Sequence, residues 1–169
     1  MYKIGDYIIY GNSGVCKVVD YMQPDDMEGK QTYYVLSPLS ARGSTIFSPV
    51  DNQKVYMRPV ISREEAEALL EGIPDYEDME IVEVRAQEQQ YKDIIKNYDC
   101  TEFLRFIKAL YERKKSREAI GRKITALDEK YLILAKGSLL NELSIALDME
   151  VDEVDQLLAD RILSAERQA

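Results

Sequence analysis

The stretch that decides the fold of the first part of the chain is Gly5-Asp6-Tyr7-Ile8-Ile9-Tyr10-Gly11-Asn12-Ser13-Gly14-Val15. Its run from Tyr7 to Tyr10 consists of aromatic and β-branched residues, which favour strands. The Gly-Asn-Ser-Gly cluster that follows is typical of a turn. Residues 15–19 then alternate in the manner of a second strand. This pattern predicts an antiparallel hairpin at the start of the chain.

Three further short strands are predicted downstream of this hairpin, at residues 32–36, 44–48 and 52–57, each followed by a proline. Residues 23–30 are predicted to form a hairpin loop. Five short strands with turn signals about every ten residues indicate a small antiparallel barrel or sandwich. Six tyrosines of this part are expected to line the core with their hydroxyls at the rim. They are Tyr2, Tyr7, Tyr10, Tyr21, Tyr33 and Tyr34.

The hydrophobic period changes from two to that of a helix at Ser62, which forms an S-x-x-E capping box with Glu65. The helix that it opens is expected to end near Gly72. Further helices are predicted at about residues 80–97, 101–115, 125–147 and 152–164. The predicted fold is therefore α+β with two domains, a β domain with a closing helix at residues 1–71 and a helical domain at residues 80–169. Residues 72–79 are predicted to be the linker.

Composition excludes several classes of function. The 169 residues include no histidine, and the two cysteines, Cys16 and Cys100, form no C-x-x-C motif. Serine–histidine chemistry, histidine-ligated metal sites and zinc ribbons are thereby excluded, and no phosphate-binding glycine loop is present. We therefore expect no catalytic residue, no metal, no cofactor and no small-molecule substrate. The N-terminus lacks the features of a signal peptide and no apolar run could span a membrane, so the expected location is cytoplasmic.

The net charge of −9 is unevenly distributed along the chain. Residues 81–145 hold 13 basic and 10 acidic side chains and are the only positive section. Residues 1–80 hold 7 basic and 14 acidic side chains, and residues 146–169 hold 2 basic and 7 acidic ones. Six cations cluster at the predicted end of one helix and in the connection to the next, beside Glu112 and Glu118. They are Arg113, Lys114, Lys115, Arg117, Arg122 and Lys123. Two interpretations stay open, a contact with nucleic-acid phosphates and a complement to the helix dipole.

Two other segments have alternative interpretations. Residues 43–49 place Ile46 and Phe47 in a short strand after a flexible Arg-Gly turn. At the edge of a sheet this strand would offer backbone groups to a strand of a partner protein, whereas in the interior it would only fill the core. Residues 138–162 have the rhythm of a helix-turn-helix, but acidic residues open its second helix and would face DNA phosphates, so structural packing is the better interpretation.

Several motifs in this order resemble the CarD/CdnL family of bacterial transcription regulators, whose first domain is shared with transcription-repair coupling factor. The Gly-Asp start, the apolar pair before Tyr10 and the glycines of the first turn match the opening of that family. The resemblance extends over roughly residues 1–164. The matching segments are GDYIIYG at 5–11, GV at 14–15, MEGKQ at 27–31, YYVL at 33–36, TIFSP at 45–49, RPVIS at 58–62, IKALYER at 107–113, LDEK at 127–130 and LLNEL at 139–143.

The resemblance implies a fold and a function. The first domain would be a Tudor-like β-barrel that binds the β-subunit lobe of RNA polymerase by strand pairing at its edge. The residues implied in that contact are Thr45, Ile46, Phe47, Ser48 and Pro49. The helical domain would touch promoter DNA weakly, within the polymerase complex and without reading sequence, and would stabilise the open promoter complex.

The chain also departs from the family at two places. Members with a well-defined action on DNA carry a tryptophan near the start of the first bundle helix, where this chain has Val84 and Arg85; it contains no tryptophan. Arg85 would enter a minor groove as a cation and joins the predicted DNA-binding set. Phe47 stands where some relatives have an arginine, which implies a more apolar polymerase contact. The alternative function is a protein–protein adaptor that uses the barrel edge and makes no direct DNA contact.

Overall fold

The computed structural model describes residues 1–25 and 31–168, and the chain divides between Val60 and Ile61 into two compact units. The first unit contains the strands and the second the helices, which confirms the predicted α+β class. The five strands form one antiparallel sheet in the order β4-β3-β2-β1-β5. Their bounds are β1 Tyr7–Tyr10, β2 Val15–Met22, β3 Tyr33–Pro38, β4 Ile46–Pro49 and β5 Met57–Pro59.

The first hairpin forms as predicted, with a tight turn at Gly11–Ser13 between β1 and β2. Gly11 has a φ of +44°, and a Cβ placed on it would lie 2.7 Å from Val55 Cγ1. Both the backbone conformation and the close approach therefore require glycine at this position.

The core of the first unit includes a cluster of buried residues formed by Ile8, Cys16, Val18, Tyr34 and Leu36. Three of the predicted core tyrosines, Tyr2, Tyr10 and Tyr21, pack against it half-buried. The backbone N–H of Tyr2 donates to the hydroxyl of Tyr34 at 3.0 Å, and the hydroxyl of Tyr21 donates to the carbonyl of Tyr2 at 2.5 Å. The N-terminal segment is thereby held against the sheet.

A fifth strand forms, but the bounds predicted for it, residues 52–57, are wrong, because Asn52 makes a turn there. Its side-chain amide donates to the carbonyl of Val55 at 2.9 Å, and its Oδ1 accepts from the N–H of Lys54 at 3.0 Å. β5 begins only at Met57 and pairs with β1. The predicted loop at residues 23–30 lies partly outside the described residues, which resume at Gln31.

The sheet is open between its two edge strands. Within residues 1–25 and 31–60, β4 pairs with β3 alone and β5 with β1 alone. The predicted barrel therefore takes the form of a five-stranded sheet whose edges do not pair with each other in the described residues.

Three helices of the second unit begin at residues whose side chains cap them. Ser62 and Glu65 form the predicted capping box, and Asp99 and Thr125 cap two later helices through their side chains. The segment at residues 138–162, for which structural packing is the preferred interpretation, packs through residues that include Val154, Leu158 and Ile162, all buried. The helix bounds are α1 Arg63–Glu71, α2 Val84–Asn97, α3 Cys100–Glu118, α4 Ala126–Leu147 and α5 Val151–Gln168.

The domain boundary in the structure differs from the predicted one at residue 71, because α1 packs on α4 in the helical unit. The Arg63 guanidinium donates to the carbonyl of Leu147 at 2.7 Å, and the N–H of Ile61 donates to the carboxylate of Glu142 at 3.1 Å. The predicted linker at residues 72–79 is also part of this unit. Ile73 is fully buried, and Lys108 forms an ion pair with Asp78. No helix in the described part of the chain is long and apolar enough to cross a membrane.

Candidate functional site

The edge strand β4 is the first candidate site, since it contains most of the residues that the sequence assigned to a protein contact. It pairs antiparallel with β3, and Ile46, Phe47 and Ser48 lie opposite Leu36, Val35 and Tyr34. Its other side faces no strand among the described residues. Unpaired backbone groups along such an edge are a template for another strand.

Side chains alternate along β4, which separates the predicted contact residues into two sets. Ile46 packs against the core of the unit, and the side chain of Ser48 is fully buried. Phe47 points to the opposite face and leaves 52% of its surface exposed, and Thr45 is exposed just before the strand. Only Phe47 among the residues of β4 therefore offers a large apolar side chain to a partner.

The backbone N–H and C=O groups of successive residues of β4 also point alternately towards β3 and towards the open edge. The N–H of Val50 donates to the carbonyl of Thr32 at 2.9 Å, which makes this pair a hydrogen-bonded one. Hydrogen-bonded and non-hydrogen-bonded pairs alternate in an antiparallel ladder, so Ile46 and Ser48 point their N–H and C=O groups at β3. Phe47 then points both groups at the open edge. Pro49 is also turned outward but has no N–H to donate, so the edge offers no donor at that end.

The buried hydroxyl of Ser48 has no hydrogen-bond partner among the described residues. A buried hydroxyl without a partner costs about 1–3 kcal/mol. Because the side chain faces the interior and the backbone faces β3, Ser48 contributes neither to a partner at the open edge. Of the five residues predicted to contact a partner, Thr45 and Phe47 have exposed side chains, and the carbonyl of Pro49 is turned to the open edge. The contact itself stays a prediction.

The predicted DNA-binding residues differ in their exposure and in the partners that they have within the helical unit. Arg85 lies in the first turn of α2, is largely exposed and forms an ion pair with Glu83 at 3.2 Å. Val84 beside it is 81% exposed. The segment before α2 is rich in carboxylates, so the local field there opposes an approach of phosphates.

Arg113 is engaged inside the helical unit. Its Nε donates to Asp128 Oδ2 at 2.9 Å, and the hydroxyl of Tyr91 donates to Oδ1 of the same carboxylate at 2.7 Å. Asp128 and Tyr91 are fully buried. The hydrogen bond to Asp128 raises the pKa of the Arg113 guanidinium, and burial, with a smaller effect of the Asp128 hydrogen bond, raises the pKa of the Tyr91 hydroxyl. Arg113 thus has a structural partner within the unit, and its contact with phosphates stays a prediction.

Two further cations of the cluster have partners within the unit. Lys115 forms an ion pair with Glu166 of α5 at 2.5 Å, although 58% of its side chain remains exposed. The Nε of Arg117 donates to the carbonyl of Lys123 at 2.6 Å, and the carbonyl of Arg117 accepts from the N–H of Arg122 at 2.8 Å. Arg117 thus stabilises the connection between α3 and α4 through hydrogen bonds of both its side chain and its backbone.

The remaining cations, Lys114, Arg122 and Lys123, have exposed side chains at the end of α3 and in the α3–α4 connection. These three residues, which we call the cationic loop set, are the part of the predicted cluster best exposed for a phosphate. Sequence reasoning missed the buried acceptor Asp128 because its partners lie 15 and 37 positions away along the chain. The only local indication of structure near Asp128 is Thr125, three positions earlier, which caps the start of α4.

No group of three or more histidine, cysteine, aspartate or glutamate side chains in the described ranges is arranged to hold a metal ion. Both cysteines are buried and neither forms a disulfide. The thiol of Cys100 donates to Glu142 Oε2 at 3.1 Å, and burial raises the pKa of the Cys16 thiol to about 11.

Comparison with known families identifies the first unit. Residues 2–61 match the family model described as the CarD-like/TRCF RID domain, where RID denotes an RNA polymerase-interacting domain. The matched range ends next to the boundary between the two units. This match indicates a protein that interacts with RNA polymerase. No curated protein matches the chain.

Proposed function

Because residues 2–61 form a CarD-like/TRCF RID domain, we propose that the chain is a CarD-like transcription regulator that binds the β-subunit lobe of RNA polymerase through β4. A strand of the lobe pairs with the open side of β4 and meets the N–H and C=O of Phe47. The observation that carries this proposal is the position of β4 at the edge of the sheet.

The outward side chain of Phe47 adds an apolar component to that pairing. It lies opposite Val35 of β3 on the outer face of the sheet. Covering the exposed half of a phenylalanine contributes about 1–2 kcal/mol at the usual value per unit of apolar area. The backbone pairing thus determines where the partner strand lies. The side chain of Phe47 favours a partner strand that has an apolar residue opposite it.

The second part of the proposal concerns promoter DNA. The helical unit contacts DNA weakly through the cationic loop set and thereby stabilises the open promoter complex without reading sequence. Binding to polymerase holds the unit near DNA, so a low intrinsic affinity suffices. Arg85 is an additional candidate, because an exposed ion pair such as that with Glu83 contributes only about 0–1 kcal/mol and exchanges readily. No catalytic step and no cofactor belong to this function.

The alternative, an adaptor that binds polymerase and leaves DNA alone, is favoured by one observation. Residues 61–169 hold 16 basic and 25 acidic side chains, so the entire net charge of −9 falls on the helical unit. The net charge of such a unit opposes the approach of DNA and weakens any contact that the cationic loop set makes.

The polymerase contact is tested by binding of core RNA polymerase to the wild type and to Phe47→Asp. We expect the substitution to weaken binding at least tenfold, because a carboxylate replaces an apolar contact and is desolvated. Tyr56→Asp is the matched control, since Tyr56 is 54% exposed elsewhere in the first unit. Equal binding of Phe47→Asp and the wild type would contradict the proposal. Ile46→Asp is less informative, because Ile46 packs against the core.

The DNA contact is tested by reversing the charges of Lys114, Arg122 and Lys123 to glutamate. We expect unchanged binding to polymerase and a shorter lifetime of the open promoter complex, most clearly at low salt. The adaptor alternative predicts the same lifetime for the wild type and the triple variant across the salt series.

A further inference from the structure

The segment that leads into α2, residues 77–83, forms neither helix nor strand. Four of its seven side chains are acidic and none is basic, and we call it the acidic strap. The Nε of Arg105 in α3 donates to the carbonyl of Glu77 at 2.8 Å. The side-chain amide of Gln90 in α2 donates to the carbonyl of Glu80 at 2.9 Å. Side chains of two helices therefore hold the backbone of the strap.

The strap also pairs with a cation of α3 that is largely withdrawn from solvent. The ammonium of Lys108 lies 3.5 Å from a carboxylate oxygen of Asp78. Only 14% of the Lys108 side chain is exposed, against 77% of the Asp78 side chain. Lysine ordinarily keeps its charged end in water. Here the carboxylate faces the solvent, and the strap balances the charge of a shielded ammonium.

Arg105 and Lys108 belong to a row of cations along one face of α3. Positions 105, 108, 112 and 115 share a side of this helix, because its period is about 3.6 residues. The fourth cation-free position is Glu112, and the row ends with Lys115, which pairs with Glu166 of α5. The row leads towards the cationic loop set at the end of α3. A phosphate contact at that end would extend along this face if the internal partners were displaced.

We propose that the acidic strap is an autoinhibitory element, which occupies Arg105 and Lys108 with its own oxygen acceptors and so excludes DNA phosphates from them. The strap offers a backbone carbonyl to the guanidinium and a carboxylate to the ammonium. A phosphate offers charged oxygens to both cations, so the two ligands compete. The inference rests on the DNA contact of the proposed function and adds its regulation, since the free protein binds DNA less tightly than its cations allow.

The contacts of the strap permit it to open while the helices stay folded. Side-chain hydrogen bonds hold it, rather than the ladder of a helix or a sheet, and such segments open locally at a low free-energy cost. Its end is anchored more firmly, because the buried side chain of Gln87 donates to the carbonyl of Val82 at 3.0 Å. The exposed contacts at residues 77–80 are therefore the part that yields to phosphates.

The competition is tested by the affinity for a labelled DNA duplex over a series of salt concentrations. Asp78→Asn should raise affinity about fivefold to tenfold at low salt and steepen the slope of log affinity against log salt by about 0.9, because Lys108 gains one phosphate. Glu153→Gln, which removes the same charge from an exposed position of α5, is the matched control. It should change affinity less and leave the slope unchanged. The gain should vanish in the double variant with Lys108→Gln.

The shielding of Lys108 is measured without reference to DNA affinity. Lysines are acetylated with an N-hydroxysuccinimide ester, and peptide mass spectrometry gives the rate at each residue. In the wild type we expect Lys108 to react several-fold more slowly than Lys96, an exposed lysine of α2. Asp78→Asn should accelerate Lys108 alone, and duplex DNA should slow it again in that variant. Equal rates at Lys108 and Lys96 in the wild type would overturn the inference.

The possible failures are distinguishable. If reversing the charges of the cationic loop set weakens DNA binding while Asp78→Asn has the slope and affinity of Glu153→Gln, the strap is not autoinhibitory and the DNA contact stands. A gain in Asp78→Asn that persists without Lys108 has the same meaning. If neither the reversal nor Asp78→Asn changes DNA affinity, the DNA contact of the proposed function is wrong and the autoinhibition falls with it.

Discussion

Arg113 shows how strongly the role of one residue depends on its surroundings. Its neighbours Lys114 and Lys115 are exposed, whereas its guanidinium reaches the buried carboxylate of Asp128, which also accepts from Tyr91. A buried carboxylate is tolerated only when it is hydrogen-bonded and paired with a charge. The network therefore links α2, α3 and α4 at one point.

Removing the Tyr91 hydroxyl should destabilise the helical unit. In Tyr91→Phe, Asp128 keeps Arg113 but loses the donor to Oδ1, so we expect a loss of about 1–3 kcal/mol in the free energy of unfolding at pH 7. Urea denaturation followed by circular dichroism measures it. Tyr56→Phe, which alters an exposed side chain, should change little.

The pH dependence of this difference has a defined sign. The folded pKa of Tyr91 is raised above its unfolded value of about 10, so the hydroxyl contributes in full below about pH 10. Its contribution is lost as the pH rises further, because the unfolded chain releases the proton first. The difference between wild type and Tyr91→Phe should shrink above about pH 10. A constant difference up to pH 11 would show that the Tyr91 pKa is not raised.

At the scale of elements, the helix α1 belongs to the helical unit although it directly follows the sheet. Ala66, Leu69 and Leu70 are buried on its inner face, and it packs on α4. A fragment of residues 61–169 should therefore unfold cooperatively. A fragment of residues 72–169 should lose roughly 3–5 kcal/mol of apolar burial.

Thermal unfolding of the two fragments by circular dichroism tests this expectation. We expect a midpoint at least about 10 °C lower for residues 72–169, or no cooperative transition. Equal midpoints would mean that α1 does not stabilise the helical unit.

Helix caps and turns could be predicted from neighbouring residues, whereas the bounds of β5 and the position of β4 in the sheet depend on contacts between distant residues. The capping box at Ser62 and the turn at Gly11 are encoded by neighbouring residues, and both form as predicted. The fifth strand was misplaced because the side chain of Asn52 forms a turn within a strand-like run. Whether β4 is an edge or an interior strand depends on strand order, a non-local property that its own residues do not contain.

At the scale of the whole molecule, charge is divided between the two units. Residues 1–60 hold 6 basic and 6 acidic side chains, while residues 61–169 carry the net −9. The sequence alone places the positive section at residues 81–145, but only the structure shows that Arg113 is engaged inside and that Lys115 and Arg117 have partners. The surface best available to phosphates is thus smaller than the count of cations suggests.

This division predicts a small salt dependence of DNA binding. If Lys114, Arg122 and Lys123 make the phosphate contacts, the slope of log affinity against log salt should be about −3 for duplex DNA. Fluorescence anisotropy with a labelled duplex measures the slope. A value near −6 would mean that the whole cluster binds phosphates and that the Arg113–Asp128 pair opens.

The central claim is that a strand of RNA polymerase pairs with the open side of β4. Residue-resolved amide hydrogen exchange in the presence and absence of core RNA polymerase tests it most directly. The amide of Phe47 points at the open edge, while those of Ile46 and Ser48 already face β3. We predict that polymerase slows exchange at Phe47 strongly and at Ile46 and Ser48 little. Binding of polymerase with unchanged exchange at Phe47 would contradict strand pairing at β4.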